Sequence, residues 1–390
     1  MSKIRIPLIR KADGSWARSS RERANVFAEH FVNVFQPFPN ETIVDESGEI
    51  DEFLEAPFQM SLPIKPVRPF EVMDVIGDLK PSKAPGYDLI TGRVMKELPR
   101  KAIVLLTTIF NSLMRTGYFS SHWKIAQLVV IPKTGKDPEK VTSYRPISLL
   151  PVMSKVFERL LLRRIRPFLC EEGVIPDHQF GFRRHHSTIE QIHRVTNDIR
   201  RSMEGKQYCS AVFLDITQAF DKVWHAGLLY KIKSTLPHTF YSLLKSFLCD
   251  RFFQVKMEGE VTQLYPIGSG VPQGSILGPV LYNLFTHDLP TSRETTIATY
   301  ADDVAILSSN GDPVIAVRGL QCHLDAYQGW LSKWRIKVNE TKSSHVTFTL
   351  RKGICPPVTL NNKIIPQADD AKCQDASPSV CEPWCTPPGT

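Results

Sequence analysis

The chain has 390 residues, of which 42% are hydrophobic, and a formal net charge of +8. This composition excludes general disorder, and the length allows two or three subdomains. The basic excess favours a polyanionic partner such as nucleic acid, although proteins that bind no nucleic acid also carry such an excess.

Two further features of the sequence concern its location in the cell. It contains no signal-peptide core and no apolar run of about 18 residues, so we expect a soluble intracellular protein with no membrane-spanning segment. The eight cysteines form no paired framework, which favours a reducing compartment.

The first 70 residues are predicted to form an N-terminal extension and linker. Ser19 or Ser20 is predicted to cap a helix. The apolar residues that recur there at helical spacing, and so form a packing face, are Ala24, Phe27, Ala28, Phe31 and Phe35. Residues 36–70 are rich in proline and acidic residues, which indicates an irregular linker.

Helical and extended patterns alternate over the next stretch. A helix is predicted over 71–80, before Pro81, and a buried helix over 103–113. Between them, KAPGYD at 83–88 is either a tight turn or a backbone contact to nucleic acid. Residues 127–132 are predicted to form a strand that leads into Lys133.

A basic region follows. Residues 154–169 are predicted to form a helix that buries Val156, Leu160 and Leu161 and exposes its arginines. Residues 154–206 carry eleven Lys and Arg against seven Asp and Glu, a local net charge of +4. We expect a template-contacting surface here, and a solvated basic helix is the alternative.

The remaining elements follow in chain order. A buried strand is predicted over 211–214, and two helices within 228–248 are separated by Pro237. Two strands are expected over 251–257 and 261–265. A glycine-rich loop and a helix over 276–285 come next, and a later amphipathic helix covers 320–334.

Asp302 and Asp303 lie between two short β-prone runs, 297–300 and 304–307, which predicts a β-hairpin with both carboxylates at its tip. For an isolated Asp pair, a solvent-exposed turn would be the simpler interpretation. However, Asp215 closes the buried strand 211–214, and a neighbouring hairpin could bring Asp302 beside it. Three such carboxylates would suit Mg²⁺. Two such ions, roughly 3.5–4 Å apart, can catalyse nucleotidyl transfer.

Seven segments of this chain resemble, in their order and spacing, the reverse transcriptases of non-LTR retrotransposons, particularly the jockey-like group. They are KAPGYD (83–88), SYRPISLL (143–150), HQFGFR (178–183), the segment from Asp215 to Asp221, GVPQGSILGP (270–279), YADD (300–303) and IKVNETKS (336–343). The resemblance extends from about residue 15 to about residue 370.

The resemblance implies an α/β fold of the α+β type. It implies the fingers and palm of a right-hand polymerase, with fingers over 71–206 and an antiparallel palm sheet within 207–350. The implied activity is that of an RNA-directed DNA polymerase, which adds dNTPs to a DNA 3′ end on an RNA template with Mg²⁺ or Mn²⁺. The implied partners are an RNA template and a DNA primer or nicked target DNA, in the nucleus after passage through the cytoplasm.

By the same resemblance, Asp215, Asp302 and Asp303 are the catalytic metal ligands. Lys342 would protonate the departing pyrophosphate, and a salt bridge to a palm carboxylate is its alternative. Asp221 is expected to form a supporting ion pair.

The substrate-binding residues are also implied by the resemblance. Lys133 and Arg145 would bind the triphosphate, and Arg183 would approach the template or the triphosphate. Phe220 would exclude ribonucleotides by filling the space of their 2′-OH, although it could be an ordinary core residue. The residues expected to contact the base pair and the nucleotide are Gly270, Gln273, Gly274 and Tyr300.

The end of the chain departs from the family pattern. Residues 351–390 are expected to be a truncated, disordered tail with a frameshifted or mis-spliced end, and the thumb and the endonuclease domain are expected to be missing. Two hypotheses follow: an active polymerase, or an inactive remnant that binds nucleic acid without polymerising. A group II intron maturase is a weaker third.

Overall fold

The computed structural model describes residues 6–39, 47–58, 61–183 and 186–369. The α-helices are α1 (Ser20–Val34), α2 (Ser47–Glu55), α3 (Pro69–Gly77), α4 (Gly92–Lys96), α5 (Arg100–Thr116), α6 (Val152–Glu171), α7 (Thr188–Glu204), α8 (His225–Thr235), α9 (His238–Leu248), α10 (Gly278–Thr286) and α11 (Pro313–Lys333). The strands are β1 (Ile9–Arg10), β2 (Trp16–Ala17), β3 (Ile125–Pro132), β4 (Tyr144–Leu149), β5 (Tyr208–Leu214), β6 (Arg251–Met257), β7 (Glu260–Val261), β8 (Tyr265–Ile267), β9 (Thr296–Tyr300), β10 (Asp303–Asn310), β11 (Ser344–Phe348), β12 (Thr359–Leu360) and β13 (Lys363–Ile364).

The chain folds as two compact units that interleave along the sequence. The first unit contains residues 1–37, 47–172 and 220–281, and the second contains 38–46, 173–219 and 282–390. The predicted boundaries at 70 and 206 do not separate these units, because the predicted palm segment 207–350 contributes to both. Across the described ranges, none of the helices is both long and apolar enough to cross a membrane.

The first unit is built on a mixed sheet with the order β4-β3-β6-β7, in which β8 also pairs with β6. Strands β3 and β6 run parallel, and the other pairs are antiparallel. Residues of β6 alternate between buried and more exposed positions, as expected for a strand with one face on the core.

Helix α1 covers this sheet, and its aromatic side chains form much of the core. Phe27 lies edge-on to Tyr144, with ring centroids 5.0 Å apart, and Phe35 lies edge-on to Phe253 at 5.2 Å. Ser19 caps the helix in a capping box with Glu22, which confirms one of the two predicted caps. The predicted packing face is therefore part of a hydrophobic core cluster that it shares with the sheet, whereas the boundary of the predicted extension at residue 70 stays a prediction.

The predicted linker also contains an ordered helix. Helix α2 ends where the Lys233 amine donates hydrogen bonds to the carbonyl oxygens of Phe53 and Ala56, at 2.6 and 2.7 Å. A cation at the C-terminus of a helix satisfies carbonyls that have no partner within the helix. The prediction of an irregular arm failed here because the capping group comes from a distant helix, α8.

Two arginines of the basic helix α6 form ion pairs with acidic residues of the same unit instead of being fully exposed to solvent. Arg163 bonds Asp74 at 2.6 Å, and Arg164 bonds Glu71 at 2.9 Å and is only 13% exposed. These carboxylates lie on α3, which packs against α6. The prediction that the α6 arginines are largely exposed is therefore wrong for Arg164, and the charge of both arginines is partly neutralised within the unit.

The second unit is built on a four-stranded antiparallel sheet with the order β11-β5-β10-β9. Strand β5 is an internal strand and almost wholly buried, as the apolar run 211–214 within it predicts. Helix α11 packs against β5 and β10 and buries Leu320, Leu324, Tyr327 and Leu331. The predicted hairpin is observed as β9 and β10.

Residues 351–369 belong to this second unit as folded structure. Val358, Leu360 and Ile365 are at most 1% exposed, and His345 exchanges backbone hydrogen bonds with Pro366 and Ala368. The predicted disordered tail is therefore wrong over this stretch, because short apolar residues here add to the edge of an existing sheet. The rest of the predicted tail, 370–390, lies outside the described residues.

We predict that Phe27→Ala lowers the free energy of unfolding by about 3–5 kcal/mol, because the ring is fully buried against the sheet. Urea denaturation would measure the loss. Phe70→Ala, which removes a ring that is 58% exposed, is the control and should change stability by about 0.5 kcal/mol or less. Equal effects of the two substitutions would contradict the place of α1 in the core.

Candidate active site

The register of β5 and β10 brings the predicted carboxylates to one end of the antiparallel sheet. Leu214, the last residue of β5, is paired with Val304 of β10. The next position along each strand is Asp215 on one side and Asp303 on the other, so the two aspartates are level with each other. Asp302 precedes Asp303 in the β9–β10 turn, as the sequence predicts.

The turn between β9 and β10 is tight. Tyr300 and Asp303 are paired, which leaves Ala301 and Asp302 as the connecting residues. Ala301 has a φ of +57°, in the left-handed region. For a residue other than glycine this conformation costs roughly 1–2 kcal/mol. Bonds elsewhere in the unit must therefore stabilise the turn.

Burial and neighbouring like charges both shift the pKa values of groups at this turn. The protein atoms packed around its carboxyl group, and then the charges of Asp302 and Asp215, raise the pKa of Asp303 to about 7. Asp303 as a residue is nevertheless exposed to solvent at the tip of the hairpin. Burial, and then the charge of Asp302, raise the pKa of Tyr282 well above its ordinary value. The three aspartates therefore form one interacting group of negative charge.

A positively charged side chain, that of Lys342, lies beside these aspartates. The Lys342 amine is 3.4 Å from a carboxylate oxygen of Asp215. The segment that carries Lys342 is held by the end of β5: Asn339 donates its N–H to the carbonyl oxygen of Asp215, and Asp215 donates its N–H to the Ser343 hydroxyl. IKVNETKS thus places its lysine at the carboxylates through backbone pairing. The ion pair is the alternative that the sequence left open for Lys342.

The carboxylate oxygens of these aspartates are ligands that suit a hard divalent cation, but the described residues do not complete a metal site by themselves. Within the described ranges, no three His, Cys, Asp or Glu side chains are grouped so that they could hold a metal ion. Mg²⁺ is usually bound by one or two carboxylates and completes its octahedron with waters and substrate phosphates. The aspartates present fit that mode of binding, whereas the predicted three-residue ligand set stays a prediction.

In the first unit, the loop 270–279 is held tightly by its own neighbours. Gly270 has a φ of +91°, and a Cβ there would lie 2.6 Å from the carbonyl oxygen of Asp221. Gly274 has a φ of +118°, and a Cβ there would lie 2.6 Å from the carbonyl oxygen of Ser148. Both glycines are therefore required by close approach of the protein's own backbone, whereas the sequence suggested approach of a base pair.

The amide of Gln273 has a defined orientation in this loop. Its Nε2 donates a hydrogen bond of 2.9 Å to Oδ1 of Asp221, which is buried. Because a carboxylate only accepts, this bond identifies the amide nitrogen and leaves Oε1 on the other side. Asp221 thus supports the loop through Gln273.

A buried carboxylate that the sequence analysis missed holds the other half of the loop. Glu158 on α6 is fully buried and accepts hydrogen bonds from the Ser275 hydroxyl and from the backbone N–H groups of Ile276, at 2.8 Å, and Leu277, at 3.2 Å. The Ser154 hydroxyl donates to its other oxygen at 2.7 Å. The only signal in the sequence is an acidic residue among the apolar residues of α6.

Comparison with known proteins agrees with this arrangement. The family model for reverse transcriptase (RNA-dependent DNA polymerase) matches residues 131–374, which is more than half of the chain. The chain belongs to the reverse transcriptase family. The prediction of this family is therefore confirmed.

Three curated relatives show which members of the reverse transcriptase family this chain resembles. The RNA-directed DNA polymerase from mobile element jockey of Drosophila melanogaster is 45% identical over 92% of this chain and 40% of the relative. The probable RNA-directed DNA polymerases from transposon BS and transposon X-element of the same species are each 42% identical, over 93% and 94% of this chain. The chain spans 40% to 41% of the length of these relatives.

The substrate-binding residues predicted for this chain are divided between the units. Lys133, Arg145 and Phe220 lie in the first unit, together with the loop 270–279, and Arg183 and Tyr300 lie in the second. Their common approach to a nucleotide stays a prediction.

Their local surroundings differ. The Lys133 amine donates to the carbonyl oxygen of Thr142 at 2.8 Å, whereas Arg145 is exposed on β4. Phe220 is half-buried, and its carbonyl oxygen accepts from the N–H of Val271. The Arg183 guanidinium donates to the carbonyl oxygen of Pro176 at 2.9 Å and so helps to fix its own loop.

We predict that Asp303 makes an unfavourable contribution to the stability of the metal-free chain, which grows as the pH rises from about 4 to about 7. Over this range the unfolded chain ionises Asp303, while the folded chain keeps it protonated because its pKa is about 7. Asp303→Asn removes this difference in bound protons. Between about pH 5 and about pH 8, the free energy of unfolding of Asp303→Asn should therefore rise relative to that of the wild type.

Urea denaturation in EDTA at the two pH values would test this prediction. Asp177→Asn, which changes a fully exposed side chain in the same unit, is the control and should follow the wild type. An identical pH dependence for wild type and Asp303→Asn would mean that the pKa of Asp303 is not raised as described.

Proposed function

We propose that this chain carries the polymerase core of an RNA-directed DNA polymerase that adds dNTPs to a DNA 3′ end on an RNA template. The observation that carries the proposal is the level placement of Asp215 and Asp303, with Asp302 beside them, at one end of an antiparallel sheet. Membership of the reverse transcriptase family supports it, and three relatives are named as RNA-directed DNA polymerases of mobile elements.

We further propose that Asp215, Asp302 and Asp303 hold Mg²⁺ or Mn²⁺ together with the phosphates of the incoming nucleotide. Such ions, when bound, activate the primer hydroxyl and stabilise the leaving pyrophosphate oxygen. The raised pKa of Asp303, about 7, means that a divalent cation competes there with a proton. Binding of the ions should therefore release a proton near neutral pH.

Lys342 is the candidate general acid for the departing pyrophosphate. Its amine is within ion-pair distance of Asp215, at 3.4 Å, and its side chain is half exposed, so it could turn from the carboxylate to a phosphate oxygen. A protonated amine placed there would give up its proton to the leaving group.

The right-hand assignment is part of the same proposal. The four-stranded sheet of the second unit would be the palm sheet, and strands β3 and β4, with Lys133 and Arg145, would belong to the fingers that bind the triphosphate. Phe220 would select dNTPs by occupying the space of a 2′-OH. The glycine-rich loop and Gln273 would lie beside the new base pair.

The partners follow from the chemistry. We propose an RNA template, a DNA primer or nicked target DNA, and dNTPs, with the basic excess of the chain attracting the nucleic-acid backbone. We propose the nucleus, with cytoplasmic passage, as the place of action.

We predict that purified chain extends a DNA primer on an RNA template in Mg²⁺ and that Asp302→Asn lowers the rate about 10³-fold or more. The loss corresponds to several kcal/mol of charge stabilisation in the transition state. Single-nucleotide primer extension would measure it. Asp325→Asn, which changes an exposed carboxylate on α11 of the same unit, is the matched control and should retain full activity.

Because the chain spans 40% of its jockey relative, the assay should include a chimera in which this sequence replaces the matching stretch of that relative. Activity that disappears with Asp302→Asn in either protein supports the proposal. Activity that persists in Asp302→Asn contradicts the metal assignment. Absence of extension in both proteins would favour an inactive remnant.

For Lys342, we predict that Lys342→Ala lowers kcat about 10²-fold with little change in KM, and that Lys342→Arg does not restore the rate. Arginine keeps the ion pair with Asp215 but does not release a proton at neutral pH. Lys363→Ala is the matched control, because Lys363 pairs with Glu340 at the same distance, 3.4 Å. Full activity of Lys342→Arg would assign Lys342 a purely electrostatic role.

A further inference from the structure

We infer that Gln179 is a positioning residue for the carboxylates of Asp302 and Asp303, because its side-chain amide holds the backbone of the turn that carries them. This inference rests on the proposed function of the same turn. Gln179 belongs to the HQFGFR segment, in which the resemblance implied a binding role for Arg183 alone.

The amide of Gln179 spans the backbone of Ala301. Its Nε2 donates to the carbonyl oxygen of Ala301 at 3.1 Å, and its Oε1 accepts from the N–H of Ala301 at 2.9 Å. Oε1 also accepts from the N–H of Gly181 at 2.7 Å. Gln179 is only 4% exposed, so these bonds are shielded from water.

The two hydrogen bonds from Gln179 hold Ala301, whose backbone sets the direction of the carboxylates of Asp302 and Asp303. Ala301 has the left-handed φ of +57° and directly precedes Asp302. A change in its backbone dihedrals would rotate both aspartates relative to Asp215. An amide that engages the N–H and the C=O at the same time resists that rotation.

Backbone hydrogen bonds to strand β9 fix the position of Gln179. Its neighbours extend the sheet: the N–H of Phe180 donates to the carbonyl oxygen of Thr299, and the N–H of Thr299 donates to that of His178, both at 2.9 Å. The Asn283 amide donates to the carbonyl oxygen of Gly181 at 3.0 Å.

Gly181 completes this arrangement. A Cβ at Gly181 would lie 2.1 Å from the backbone nitrogen of Ala301. Such a contact is not tolerated, so the glycine of this motif is required by the approach of the turn. The HQFGFR segment therefore forms a rigid support directly against the turn.

Gln191, which bonds both the HQFGFR segment and β9, provides a matched control. This side chain is 5% exposed, and its Nε2 donates to the carbonyl oxygens of His178, at 2.8 Å, and Thr299, at 3.0 Å. Gln191 thus joins the supporting segment to β9 with an equally buried amide, but no bond runs from it to Ala301 among the described hydrogen bonds. A substitution of Gln191 therefore tests whether a general loss of stability in this part of the unit is enough to affect the site.

The test compares Gln179→Met and Gln191→Met in the full 390-residue chain, since methionine keeps the length of the side chain and removes its hydrogen bonds. Four quantities would be measured: the melting temperature, the Mn²⁺ affinity by electron paramagnetic resonance, the hydrogen exchange of the Ala301 amide, and kcat and KM for dNTP. The Mn²⁺ and exchange measurements do not depend on activity.

We expect Gln179→Met to lower kcat about 10- to 100-fold with little change in KM, as a misplacement of about 1 Å of reacting groups does. It should also weaken Mn²⁺ binding and speed exchange at Ala301. Gln191→Met should lower the melting temperature by a similar amount but keep the Mn²⁺ affinity and kcat within about twofold.

Equal Mn²⁺ affinity and equal kcat in the two variants would overturn the inference. If Gln179→Met does not fold, Gln179→Asn, whose amide is too short to reach both groups of Ala301, takes its place with the same expected pattern. A wild type that binds Mn²⁺ but extends no primer would contradict the proposed function alone, and the Mn²⁺ comparison would still decide the role of Gln179.

Discussion

The antiparallel pairing of β5 with β10 is the constraint on which the candidate site depends. It places Asp215 level with Asp303, which directly follows Asp302 in the turn, so that like charges are held together at a sheet end. Such a cluster opposes folding unless something offsets the repulsion. Here the pKa of Asp303 is raised to about 7, and the Lys342 amine lies 3.4 Å from Asp215. Both features lower the negative charge of a site whose donors suit divalent cations.

Several residues of the HQFGFR and GVPQGSILGP motifs have a structural role: they fix the backbone of the segments proposed to take part in catalysis and substrate binding. Gly181 allows the HQFGFR segment to approach the β9–β10 turn, and Gly270 and Gly274 allow the GVPQGSILGP loop to approach its own neighbours. Two side chains with no direct part in the proposed chemistry, Gln179 and Glu158, accept or donate several buried hydrogen bonds each. Buried and satisfied polar groups of this kind specify one geometry. The proposed polymerase chemistry needs such rigidity, because reacting groups must be placed to within a fraction of an ångström.

Local patterns predicted the elements well where one face of an element is buried. The hairpin around Asp302, the strand before Asp215 and the cap at Ser19 are all as predicted, because alternation, apolar runs and capping chemistry act over a few residues. The failures have a common cause. Helix α2 depends on Lys233, the arginines of α6 depend on acidic residues of α3, and the order of 351–369 depends on the edge of the sheet at His345. In each case the stabilising partner is far away in the sequence.

For this protein, the sequence by itself determined the family, the order of the motifs and the carboxylates that carry the proposed chemistry, because these follow from residue identity and spacing. The tertiary structure alone decided that the N-terminal helix belongs to the core and that the chain interleaves two units. It also identified Gln179 and Glu158 as the supports of the turn and of the loop. Their roles arise from hydrogen bonds between residues that are more than a hundred positions apart, and no local pattern encodes such contacts.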